Sequence, residues 1–278
     1  MAGRKKIASP NSEHEICRFL KEVEEHPDCV EVIRRLNGLE QEVIARGVAD
    51  VTRWSILRHN SRTQLGKQRR DLYERILREK LNPGAFASKP RAVILLGPPG
   101  AGKTTIGVPM VVAKFNTIFS SINADDVKER LPEYEGWNAA ALHAESAHVA
   151  ENLMMNVATA TRLNIIYDIT GKNAKKVELG LVDFAESGYE VYLLLMCLAP
   201  WKAAARAWNR FQLNPFCVKR KLQPGRYVPP RFVYEKMANH PRETFEQLKS
   251  HEAVAGYCHV DADTPRGMTA RVIKSKGW

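Results

Sequence analysis

Arg91-Ala92-Val93-Ile94-Leu95-Leu96-Gly97-Pro98-Pro99-Gly100-Ala101-Gly102-Lys103-Thr104-Thr105 is the stretch that decides the fold. Ala92 to Leu96 run without a polar break into Gly97, as a buried parallel strand does. The glycines then let the chain turn so that successive N–H groups point inward. The order G-x-x-x-x-G-K-[ST] is that of a P-loop. In such a loop the main chain from Gly97 through Pro98, Pro99, Gly100, Ala101 and Gly102 to Lys103, Thr104 and Thr105 surrounds the phosphates of a nucleoside triphosphate. Lys103 reaches the β- and γ-phosphates, and the Thr104 hydroxyl ligates Mg²⁺. A helix expected over residues 103–113 turns its positive N-terminus toward the same phosphates. ATP and Mg²⁺ are therefore the expected ligands.

Outward from this stretch, apolar runs recur at 117–122, 164–167, 189–198 and 254–260, separated by helical stretches at 140–163, 174–186 and 201–212. Strands alternating with helices predict an α/β fold, a parallel sheet with helices on both faces. Residues 11–50 read as helices, with Ile16, Phe19, Leu20 and Val23 on one buried face. The expected organisation is an N-terminal helical region, 1–60, followed by a nucleotide-binding domain, 61–278. The N-terminal region is expected to pack on the sheet and stabilise it; inhibition in cis and partner docking stay open as alternatives.

Composition sets outer bounds. The chain has 278 residues, 44% hydrophobic and 26% charged, which is ordinary for a globular protein. No apolar run approaches the roughly 20 residues of a membrane span. Residues 1–10 are basic but lack the apolar stretch of a secretory signal, so the expected compartment is the cytosol. The five cysteines form no C-x-x-C pair and read as reduced thiols. The net charge of +11 is uneven. The first 90 residues carry +5, residues 91–199 carry −3, and residues 200–278 carry +9. The basic last third points to a polyanionic partner or to a solvated surface.

Two further strand ends carry carboxylates. The second strand runs into Asn123-Ala124-Asp125-Asp126 and the third into Asp168-Ile169-Thr170-Gly171-Lys172. Ligands of open parallel sheets sit beyond the carboxyl ends of the strands. Asp125 is placed to deprotonate an attacking hydroxyl, with Asp126 capping the helix that follows. Asp168 ends its strand as a metal-holding carboxylate does. On the helix 140–163, Ala150, Leu153, Met154 and Val157 form the expected core stripe, and Glu145 and His148 lie away from it toward solvent. Arg206 and Arg210 share one helix face. Lys219-Arg220-Lys221 and Gly225-Arg226-Tyr227-Val228-Pro229-Pro230-Arg231 follow. Together, residues 206–231 read as a basic lid whose guanidinium groups stabilise a transferring phosphoryl group.

At these residues the chain resembles the zeta-toxin family of P-loop kinases, over roughly Arg62 to Lys249. Residues 68–76 resemble the family's Arg-bearing helix. Ile122-Asn123-Ala124-Asp125-Asp126 is similar to its acceptor loop, in which the aspartate at the Asp125 position is the base. His143-Ala144-Glu145 is similar to its substrate-facing glutamate helix, which makes Glu145 a substrate contact. Asp168-Ile169-Thr170-Gly171-Lys172 resembles its E-G-T-x-R, which gives Thr170 and Lys172 to the acceptor. The lid resemblance makes Arg210 and Arg226 phosphate contacts, with Arg206 also at the nucleotide. Two departures fall on the acceptor side: Lys172 stands for an arginine, and Asp168-Ile169 for Glu-Gly. The best-known acceptor of the family is a sugar hydroxyl of UDP-N-acetylglucosamine. The resemblance also implies an antitoxin-like inhibitory protein as partner.

The expected activity is transfer of the γ-phosphate of ATP to a hydroxyl of a nucleotide-linked metabolite, a nucleotide sugar or dinucleotide. Two rivals remain: a polynucleotide or RNA kinase, suggested by the basic last third, and a non-catalytic nucleotide-binding module.

Overall fold

The computed structural model describes residues 7–47, 50–55, 64–213, 225–237, 239–264 and 270–278. Cys217, Pro224 and the basic run 219–221 lie outside them.

Strand β1 (Arg91–Leu96) lies in the middle of a six-stranded sheet. The other strands are β2 (Ser120–Ile122), β3 (Ile165–Asp168), β4 (Glu190–Cys197), β5 (Val254–Asp261) and β6 (Arg271–Lys276), in the spatial order β2-β3-β1-β4-β5-β6. The first five run parallel, as expected. The sixth pairs antiparallel with β5. No strand was expected at Arg271–Lys276, because every residue of this edge strand is exposed and it lacks the apolar run that marks buried strands. Its lysines suit an edge that must not pair with another chain.

Side chains of β1 alternate between two cores. Ala92, Ile94 and Leu96 enter one apolar cluster, and Val93 and Leu95 enter the other. The first cluster is closed by α3 (Gln64–Lys80), α5 (Ala124–Lys128), α7 (Met155–Ala160), α8 (Ala174–Glu186) and α11 (His240–Leu248), and by Ala141, Leu142 and Val149 on either side of α6 (His143–Ala147). The second is closed by α1 (Ile16–Glu24), α2 (Pro27–Ala45), whose Val43 reaches the first cluster, α4 (Val108–Phe115), α9 (Pro200–Leu213) and Val233, which follows the short α10 (Pro230–Phe232). Helices thus cover both faces.

The expected stripe Ile16, Phe19, Leu20 and Val23 is fully buried. It shares its cluster with Trp208 and Phe211 of α9 and with Tyr227. Glu24 accepts two hydrogen bonds from Arg231, at 2.5 and 2.9 Å. His26 packs edge-on against Trp208. The N-terminal helices therefore brace α9 and the segment after it.

The stripe on α6–α7 differs from expectation. Val149, Ala150, Met154 and Ala158 are buried, whereas Val157 is exposed. The wide i→i+5 turn at His148–Met154 joins α6 to α7. It inserts a residue into the helical repeat and rotates the apolar face. Among the described residues Cys17, Cys29, Cys197 and Cys258 are free thiols. No helix there is long and apolar enough to cross a membrane.

Candidate active site

β1 delivers the chain to its carboxyl edge, where Gly100 and Gly102 adopt φ of 82° and 76°. This left-handed region is open to glycine at no steric cost. The loop closes with a wide turn, Lys103–Gly107, that feeds α4. Lys103 donates from Nζ to Gly97 O at 2.8 Å, and Asp168 Oδ1 lies 3.6 Å from the same ammonium. Thr104 and Thr105 are exposed on the cleft wall. Arg206 reaches the loop from α9 and donates to Gly100 O at 3.4 Å and Ala262 O at 3.2 Å. Its guanidinium thus ties the loop to α9 and the end of β5.

The cleft is about 920 Å³ and is lined by this loop, Asn123 to Asp126, Asp168 to Lys172, Arg206, Arg210 and Arg226. A second cavity of about 720 Å³, between Leu77, Phe86 and Leu163, is mainly apolar and shares no residue with it.

Asn123, not Asp126, caps α5: its Oδ1 accepts from Asp125 N at 2.7 Å. Its amide also donates to Asp168 Oδ2 at 2.9 Å, which locks the ends of β2 and β3 together. Asp126 pairs with Lys80 at 3.4 Å. The cap falls to Asn123 because only the residue before the first helical turn can meet its free N–H groups.

Asp125 lies in the cleft between two cations. Lys128 Nζ bonds Oδ1 at 3.0 Å, and Arg226 Nη1 pairs with Oδ2. Burial alone would raise this carboxyl, but Arg226 and Lys128, with help from Lys103, hold it well below the usual carboxylate range. Burial pushes Asp168 up instead, against the pull of Lys103. The Arg226 segment reaches this depth because of Gly225. A Cβ there would sit 2.6 Å from Phe211 O and 2.7 Å from Arg210 O. Arg210 lines the cleft beside it.

The loop and its cations fit a triphosphate: glycines at its turning positions, one lysine, and two guanidinium groups lining the same cleft. Among the described residues no cluster of three His, Cys, Asp or Glu side chains could hold a metal ion. Thr104 and Asp168 line the same cleft and carry oxygens of the kind that a Mg²⁺ takes alongside those of phosphates and water.

On the other wall, Thr170 and Lys172 line the cleft, with Lys172 Nζ 5.1 Å from the Phe232 ring centre. Glu145 is not among the lining residues and does not face solvent; it is 1% exposed. Arg69 and Tyr73 of α3 bond its Oε1 at 2.5 and 2.6 Å, and Arg69 also bonds Glu133. Burial beside these partners, rather than contact with the cleft, is its setting. His148 is exposed, as expected. Several polar lining residues escaped the sequence reading, among them Lys128, Glu129, His143, Glu151 and Thr52. His143 stands in the quoted H-x-E. Glu151 is paired with Lys176 at 2.6 Å, 25 residues on, and Thr52 comes from the N-terminal region, so neither carried a local signal.

Known structures share this architecture. The PezAT chromosomal toxin-antitoxin system of the human pathogen Streptococcus pneumoniae contains a chain that matches with a TM-score of 0.57 at 17% identity, covering 77% of this chain and 81% of that one. The AvrRxo1-ORF1:-ORF2 structure with ATP matches with a TM-score of 0.55 at 15% identity, over 75% and 67%. At these identities the likeness is one of fold. No curated protein matches the chain significantly. The zeta toxin family profile, however, matches residues 74–266, well over half of the sequence and including every strand-end residue described above. The chain belongs to the zeta toxin family and has its P-loop kinase-like fold.

Proposed function

We propose that this protein is an ATP-dependent phosphotransferase that moves the γ-phosphate to a hydroxyl of a nucleotide-linked small metabolite, a nucleotide sugar or dinucleotide. One observation carries this reading: a carboxylate, Asp125, shares a cleft with the P-loop and lies within the field of Lys103. Phosphoryl transfer to an alcohol needs a base on the acceptor side and cations around the transferring group. Asp125 accepts the acceptor's proton. Lys103, Arg210 and Arg226 stabilise the charge on the transferring phosphoryl. Thr104 and Asp168 would hold a Mg²⁺, which would supply a further positive charge to the phosphates. Thr170 and Lys172 face the acceptor.

A small acceptor is favoured over a strand of nucleic acid. The cleft is a bounded volume of about 920 Å³ in which Asp125, Asp126, Glu129, Glu151 and Asp168 offset much of the charge of the lining lysines and arginines, unlike the continuous basic groove that a long polyanion needs. The PezAT neighbour comes from a toxin-antitoxin system and the other structure pairs ORF1 with ORF2, which supports a toxin role here with an antitoxin-like inhibitory protein as partner; the proposed compartment is the cytoplasm.

Titration of ATP with Mg²⁺ into wild type and Lys103→Ala tests the nucleotide half of this reading. Wild type should bind, and the variant should bind and turn over ATP more weakly, because a charge is lost from the β- and γ-phosphates. Equal binding and turnover in both would remove the P-loop from the mechanism. Binding without turnover in wild type would favour the non-catalytic module.

A further inference from the structure

Asp125 has two carboxylate oxygens and two cationic partners, which are built in very differently. Lys128 lies three residues on, on the same short helix, with Nζ 3.0 Å from Oδ1 and a side chain only 8% exposed. Among the described residues its ammonium makes no other hydrogen bond or ion pair. Helical i,i+3 spacing makes this contact independent of movements elsewhere. Arg226 comes from a segment 100 residues away in the chain and meets Oδ2. Its Nε is buried and has no hydrogen-bond acceptor. A buried N–H left unpaired is costly, so the guanidinium is incompletely satisfied where it stands. Arg210 beside it has no ion pair among the described residues, and the two guanidinium groups repel. One arginine thus holds the carboxylate oxygen and a second lines the cleft without an ion pair among the described residues, in the same cleft as the P-loop.

We propose that the two oxygens of Asp125 have separate duties: Lys128 is a positioning residue that holds Oδ1 throughout, and Arg226 covers Oδ2 only while the nucleotide subsite is empty. This rests on the phosphotransferase reading. With nucleotide bound, Arg226 leaves Oδ2 for phosphate oxygens, which also give its Nε an acceptor, and Oδ2 opens to the acceptor hydroxyl. Asp125 stays charged and oriented because Lys128 remains. While both cations hold it, Asp125 is a weak base, and release of Arg226 raises its basicity. Donor binding therefore enables the acceptor side, and by linkage the coupling is reciprocal.

A binding cycle tests the exchange. AMP-PNP with Mg²⁺ is titrated calorimetrically into wild type, Asp125→Asn, Arg226→Met and the double variant. Asp125→Asn no longer competes for Arg226 and should bind AMP-PNP about fivefold tighter or more. In the Arg226→Met background the same change should give no gain. An unchanged affinity in Asp125→Asn, or an equal gain in both backgrounds, overturns the exchange while leaving the phosphotransferase reading intact. Failure of wild type to bind AMP-PNP overturns both. The crystal structure of the wild-type AMP-PNP complex decides independently of how well the variants fold. It should show Arg226 on phosphate, Oδ2 open and Lys128 still on Oδ1. Arg226 still on Asp125, or Lys128 displaced, would contradict the division of duties.

Discussion

At the scale of single residues, Asp125 and Glu145 are two carboxylates with opposite settings. Asp125 borders the cleft, and the role proposed for it is chemical. Asp125→Asn should lower phosphoryl transfer by at least roughly 100-fold without weakening ATP binding; lost ATP affinity with retained turnover would make it a metal or structural residue. Lys128→Met should reduce kcat for transfer with the KM for ATP nearly unchanged, and Lys128→Arg should restore part of it. A merely structural Lys128 would instead lower the melting temperature and leave kcat alone. Glu145 is buried against Arg69, whose side chain is 9% exposed. Removing one partner of a buried pair strands the other, so Glu145→Ala should cost about 3–5 kcal/mol of stability, read by denaturant unfolding. Unchanged stability with loss of acceptor binding would restore the substrate role that the family resemblance implies. The contrast explains what was legible in the sequence. Asp125 follows a strand end, a position that locates ligands by rule. Glu145 depends on an arginine 76 residues away, which no local pattern reveals. The cap was misplaced because Asn123, Asp125 and Asp126 are all capping residue types, and the choice is reinforced by a bond from Asn123 to Asp168, 45 residues on.

At the scale of elements, the strand–loop–helix unit around the P-loop was readable because each part is local: an apolar run, glycines at turning positions, a helix behind. The lid was readable as composition but not as geometry. Its arginines come from α9 and from the chain near Gly225, and their meeting depends on how closely those segments approach. Gly225→Ala tests that approach. The added methyl would collide with the Phe211 and Arg210 carbonyls, at a cost of about 1–3 kcal/mol. The displaced Arg226 should weaken ATP binding in a calorimetric titration. Unchanged affinity would mean that Arg226 is placed by other contacts. The wide turn within α6–α7 and the exposed strand β6 were illegible for a shared reason. Periodicity reports buried faces in regular elements, and one of these is irregular while the other is not buried.

At the scale of the whole molecule, the N-terminal helices lie outside the family match yet complete one of the two cores. The buried stripe on α1 was legible; the surface it covers was not, because Trp208, Phe211 and Tyr227 lie far along the chain, beyond every parallel strand of the sheet but β5. Deleting residues 1–55 would expose both faces, and the truncated chain should aggregate or melt at lower temperature. A soluble truncation with higher turnover would instead make the region an inhibitor in cis. The central claim is that the shared cleft passes phosphate from ATP to a small hydroxyl acceptor. The most direct measurement incubates the protein with γ-labelled ATP, Mg²⁺, a panel of nucleotide sugars and dinucleotides, and RNA, then identifies the labelled product. Label should appear on a hydroxyl of a nucleotide-linked metabolite and vanish in Asp125→Asn. Label confined to free phosphate, or carried on an RNA end, would contradict the account.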